Sequence, residues 1–67
     1  MMERSRSTPL PGLAAHRRRW FTQRQLGELA GVAHTTVQQL EYLRRRAYPQ
    51  TLRKLALALR VEPKDLL

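Results

Sequence analysis

The chain has 67 residues, with thirteen Lys and Arg against five Asp and Glu, a formal net charge of +8 and no cysteine. Those counts exclude disulfides and thiolate metal sites, and no apolar run approaches the ~20 residues of a transmembrane helix. One small, intracellular domain is expected, without a signal peptide and with a surface field that concentrates polyanions.

Residues 1–8, MMERSRST, are polar, basic and aperiodic. They are expected to form a flexible arm, with Arg4 and Arg6 as minor-groove candidates. Pro9, Pro11 and Gly12 mark a boundary, so the folded domain is expected over 9–67 and opens with a first helix over 13–19. Thr22 is the N-cap of the next helix, because Gln25 completes a capping box, and Phe21 with Leu26 forms a hydrophobic staple. Leu26, Leu29 and Ala30 fall on one stripe, and Gly31 stands where a left-handed residue ends a helix. Gly27, inside that helix, costs about 1 kcal/mol relative to alanine, so a crossing helix is expected to require its smallness.

A further helix is expected over 33–43, with Ala33 as a weak cap. Val37 and Leu40 face inward there, and Thr35, Gln38, Gln39 and Tyr42 face water. Two short amphipathic helices hinged on one glycine constitute a helix-turn-helix. After the basic run Arg44, Arg45 and Arg46, Pro49 is the expected first residue of another helix. Its apolar stripe is Leu52, Leu55, Ala56 and Leu59, with Arg53 and Lys54 outside. Val61 extends the apolar set, Pro63 opens a last short turn, and Leu66 and Leu67 are expected to close the core. The fold class is all-α, a compact bundle of about five short helices containing a helix-turn-helix.

Two blocks carry a family resemblance. Residues 22–41 meet T-Q-x-x-L-G/A-x-x-A-G-V-x-x-x-T-V-x-x-L-E, and residues 51–67 meet T-L-x-K-L-A-x-A-L-x-V-x-P-x-x-L-L. In this order and register they resemble the lambda-repressor and Cro-like, or XRE-like, helix-turn-helix DNA-binding domains. The first helix fits that pattern least. Counting back from Thr22, Ala15 stands where the family places a large apolar residue, His16 where it places arginine, and Trp20 where it places glycine. Either the first helix packs in a shifted register through Leu10 and Leu13, with a longer link at Trp20, or small residues line a thinner core. Glu41 sits on the inner edge of the second motif helix, where a buried carboxylate needs a partner. The resemblance implies a first-helix cation, His16 by count or Arg17 in the shifted register.

The expected function is sequence-specific binding of double-stranded DNA by a transcriptional regulator, with helix 33–43 in the major groove. His34, Thr35, Gln38 and Gln39 are the base-reading set: glutamine can pair with adenine, threonine can bond or touch a thymine methyl, and histidine can donate to guanine. The resemblance implies the same four positions. Phosphate contacts are expected from Gln23, at a helix N-terminus, and from Tyr42, Arg44, Arg45 and Arg46 beyond the reading helix. No cofactor, metal, catalytic residue or membrane contact is expected. A homodimer would use the domain's own surface, around the C-terminal leucines, or form only on DNA. The competing function is a protein-interaction or antitoxin-like adaptor with weak or no DNA binding, presenting Tyr42, Leu43, Trp20 and Phe21 as an apolar patch. Against that, Trp20 and Phe21 are expected to plug the core.

Overall fold

The computed structural model describes residues 7–67, so the expectations for Arg4 and Arg6 lie outside the described residues. Helix α1 is Leu13–Arg18, α2 is Gln23–Ala30, α3 is His34–Glu41 and α4 is Pro49–Leu59, followed by a closing 3-10 turn, Pro63–Leu66. Extended pairing among the described residues is limited to an isolated antiparallel bridge between Thr8 and Ala47. No described helix is long and apolar enough to cross a membrane.

The local signals act as their chemistry dictates. Thr22 is extended and accepts from the Gln25 amide while Gln25 accepts from the Thr22 amide, so the capping box is complete. Pro49 occupies the first turn of α4, where a missing N–H leaves no helical bond unmade. Three helix ends then close in one way. The N–H of Val32 reaches the carbonyl of Gly27 at 2.8 Å, that of Arg44 reaches Gln39 at 3.0 Å, and that of Val61 reaches Ala56 at 3.0 Å. Each closure needs a left-handed residue just before its donor: Gly31, Leu43 and Arg60, with φ of 71°, 59° and 58°.

Only one of those three is a glycine, and the other two hold a Cβ where it is disfavoured. Leu43 is 56% exposed, so its side chain contributes little packing in return. Leu43→Gly should therefore stabilise the domain by about 0.5–1 kcal/mol, read as a higher midpoint in thermal unfolding. An unchanged or lowered midpoint would mean that the leucine side chain supports the loop after α3.

The core is built from Leu10, Leu13, Leu26, Val37, Leu40, Leu55 and Leu66, each fully buried, with Ala47 and Ala56 filling between them. Each full burial is worth roughly 1.5–3 kcal/mol, which in a domain this small leaves a net stability of only a few kcal/mol. Leu10 and Leu13 are both buried while Ala15 is exposed, so α1 packs in the shifted register. The Gly12 amide donates to the Leu66 carbonyl at 3.0 Å, tying the start of α1 to the closing turn.

The structure corrects several expectations. Trp20 is 70% exposed: the link between α1 and α2 carries it outward, and Phe21 alone packs on the core. Leu29 is 59% exposed, because the buried stripe of α2 runs through Leu26 and Gly27 and leaves Leu29 on an open groove that it shares with Ala58, Leu59 and Val61. Leu67 is 55% exposed and lies past the closing turn, so Leu66 alone closes the core. Helix α3 is shorter than 33–43, since Ala33 is its cap and Leu43 has left the helical region. Thr8, counted with the arm, exchanges two backbone bonds with Ala47 at 2.9 and 2.8 Å.

Candidate nucleic-acid interface

The candidate interface starts from the junction of α2 and α3. Gly27 is buried there, and a Cβ on it would lie 2.6 Å from the Val32 carbonyl oxygen. The expected need for smallness is met there, by the turn backbone at Val32 and the first residue of the crossing helix, His34. Close contact at that point fixes α3 against α2, and Val37 and Leu40 anchor the inner side of α3 in the core. On the solvent side His34, Thr35 and Gln39 are exposed, while Gln38 is half-buried.

Glu41 ends α3 on its inner side, with only 4% of its side chain exposed. Arg17 meets it with two parallel bonds, Nε to Oε2 at 2.6 Å and Nη2 to Oε1 at 2.8 Å. This is the fork geometry in which arginine binds a carboxylate most strongly. Arg17 also donates from Nη1 to the Phe21 carbonyl at 3.2 Å, so one guanidinium joins α1, the link and α3. Burial by itself pushes the Glu41 pKa up. The bonds from Arg17 and Gln23, with the charges of Arg17 and Arg18, outweigh it and hold the carboxyl below its ordinary value. The bond to Glu41 correspondingly raises Arg17. Of the two candidate partners of Glu41, the structure selects Arg17.

Gln23 has a task that the sequence did not indicate. Its Nε2 donates to Glu41 Oε1 at 2.9 Å, so the side chain turns back across the junction of α2 and α3. An amide nitrogen carries two protons, and the second is left for another acceptor. Arg18 and Arg19 line the same surface hollow as Gln23, beside the open first-turn N–H groups of α2. The other end of α3 shows a second unexpected pairing. Gln39 Oε1 accepts from Arg45 Nη1 at 3.3 Å, which joins an expected base reader to an expected phosphate contact. Tyr42, Arg44, Arg45 and Arg46 are all exposed around it. Arg24, not among the expected contacts, lines a shallow hollow with Glu28 and His34 at the start of α3. The signal that could have found it is its place in the first turn of α2, one residue after Gln23.

A family model described as Helix-turn-helix matches residues 21–66, from Phe21 to the closing turn, and leaves α1 outside. Among solved structures, the restriction-modification controller protein C.AhdI from Aeromonas hydrophila is similar, with a TM-score of 0.79 and 29% identity over 85% of this chain and 88% of that one. No curated protein sequence matches the chain.

Proposed function

This chain belongs to the XRE-like helix-turn-helix family, and from that premise we propose that it is a transcriptional regulator that binds double-stranded DNA sequence-specifically. Helix α3 lies in the major groove, with His34, Thr35, Gln38 and Gln39 toward the base edges. Gln23 contacts a phosphate through its second amide proton, and Tyr42, Arg44, Arg45 and Arg46 flank the reading set along the sugar-phosphate wall. The protein acts where the cell's DNA lies, in the cytoplasm. On paired half-sites about 34 Å apart, two copies would bind as a dimer. The similar protein C.AhdI is described as a controller of restriction and modification, which supports the regulatory reading.

The observation that carries this reading is the make-up of α3. Its outer face presents uncharged hydrogen-bonding side chains and a histidine, arginines stand beside both ends, and its one carboxylate is turned inward onto Arg17. Such a face suits a negatively charged groove whose floor is a pattern of donors and acceptors.

Fluorescence anisotropy on a random-sequence duplex tests it. Wild type should bind with an affinity that falls steeply as salt rises, and Arg46→Ala should weaken every duplex alike and lower the salt slope by about one ion. Arg46 is a cleaner probe than Arg45, whose guanidinium also touches Gln39. Absence of duplex binding even at low salt would favour the adaptor reading instead.

A further inference from the structure

The surface between the ends of α1, α2 and α4 holds none of the proposed base-reading or phosphate-contacting residues and adjoins the hollow beside Gln23 only through Arg19, Trp20 and Phe21. Trp20, Phe21, Leu29 and Val61 line a groove of about 690 Å³ there, together with Arg19 and Arg60. Trp20 is 70% and Leu29 59% exposed, so large apolar side chains stand in water side by side. A contiguous patch of this kind on a small domain marks an interaction surface. Arg60 adds a second peculiarity. It holds a left-handed backbone, φ 58°, that glycine would adopt without strain, and at that point it places a guanidinium on the groove. Among the described residues that line the groove none is acidic.

We propose that this groove docks an acidic amphipathic segment of another protein, with a large apolar side chain set against Leu29 and Val61 beside Trp20 and carboxylates meeting Arg19 and Arg60. Charge decides the occupant. A second copy brings its own +8, and two-fold pairing through this patch would set its cations against each other. Carboxylates on the partner satisfy both arginines while the apolar centre loses its water. The open shape suits a length of chain, whereas a small ligand needs most of its surface enclosed. None of His34, Thr35, Gln38, Gln39, Gln23 or the Arg44, Arg45 and Arg46 run lines the groove, so the segment and a duplex can be held together.

Trp20 is the chain's only tryptophan, so its emission reports on the groove directly. The probe is a synthetic amphipathic peptide with leucines on one face flanked by glutamates. Two controls accompany it, one with the glutamates replaced by lysines and one with the leucines replaced by serines. The acidic peptide should give a saturable blue shift, each control should bind at least about tenfold more weakly, and Arg60→Glu or Leu29→Ser should weaken the acidic peptide by about tenfold. Both variants should keep wild-type helix content and duplex affinity, so failure here is distinguishable from failure of DNA binding. Four outcomes would overturn the proposal: no saturable shift, equal binding of the lysine peptide, peptide-induced amide shifts centred on α3, or a dimer in sedimentation that Leu29→Ser abolishes.

Discussion

Glu41→Gln should lower the stability of the domain by about 2–4 kcal/mol, although the two side chains have the same shape. Three donors converge on the Glu41 carboxylate, two from Arg17 and one from Gln23. Glutamine offers a single acceptor oxygen and turns an N–H group toward those donors, leaving the guanidinium of Arg17, whose side chain is 13% exposed, without its counter-charge. For a domain of this size each kcal/mol moves the midpoint by about 4–8 °C, so a drop of about 8 °C or more is expected in a calorimetric scan. The pH dependence has a definite sign. The folded carboxyl lies below its ordinary value of 4.5, so its contribution is complete above that value and is lost as the pH falls through the folded one. Wild type should lose its advantage over Glu41→Gln on acidification, while Arg17 stays protonated throughout. Replacing both partners, Arg17→Met with Glu41→Leu, should recover much of the loss, because no charge is then left buried alone. A single substitution that leaves the midpoint unmoved would contradict a working ion pair.

Gly27→Ala should destabilise by about 1–3 kcal/mol where helix propensity alone favours alanine by about 1 kcal/mol. The new Cβ would meet the Val32 carbonyl oxygen at 2.6 Å and the His34 amide nitrogen at 3.4 Å. Both are backbone atoms, and the Val32 N–H is already held by the Gly27 carbonyl at 2.8 Å, so neither can swing aside as a side chain would. Relief has to come from moving the start of α3 away from α2. Folded Gly27→Ala should therefore also bind duplex DNA about tenfold more weakly, since a shift of the reading helix disturbs every contact it makes. Gly31→Ala is the control: nothing lies within 4 Å of a Cβ there, so only the left-handed backbone opposes it, at about 1 kcal/mol. Gly27→Ala more stable than wild type in chemical denaturation would show that the junction has slack.

The elements that chain-local chemistry specifies could be read from the sequence. Thr22 with Gln25, the left-handed Gly31 and Pro49 in a first helical turn each act within a few residues, and each stands where the pattern placed it. Val37, Leu40, Leu55 and Ala56 are inside because their spacing leaves them one common face. What escaped depended on distant partners. Leu29 and Leu67 are as apolar as their buried neighbours, but nothing large enough comes back to cover them. Trp20 is outside because the shifted packing of α1 lengthens the link that holds it. The choice of Arg17 over His16 for Glu41 rests on that same register, which buried Leu10 and Leu13 determine from outside the helix-turn-helix. The bonds from Gln23 to Glu41 and from Arg45 to Gln39 join side chains 18 and 6 positions apart and follow no periodic rule. At the candidate interface, therefore, the outward residue types were legible, and the hydrogen bonds that hold two of them were not.

Selection of sites from a random duplex pool tests the reading role of α3 most directly. Wild type should enrich a short motif, and Gln39→Ala should lose preference at one or two base pairs of that motif while the rest is kept, at an affinity cost of about 1–3 kcal/mol. A pool that stays random through successive rounds, or a Gln39→Ala motif identical to that of wild type, would contradict it.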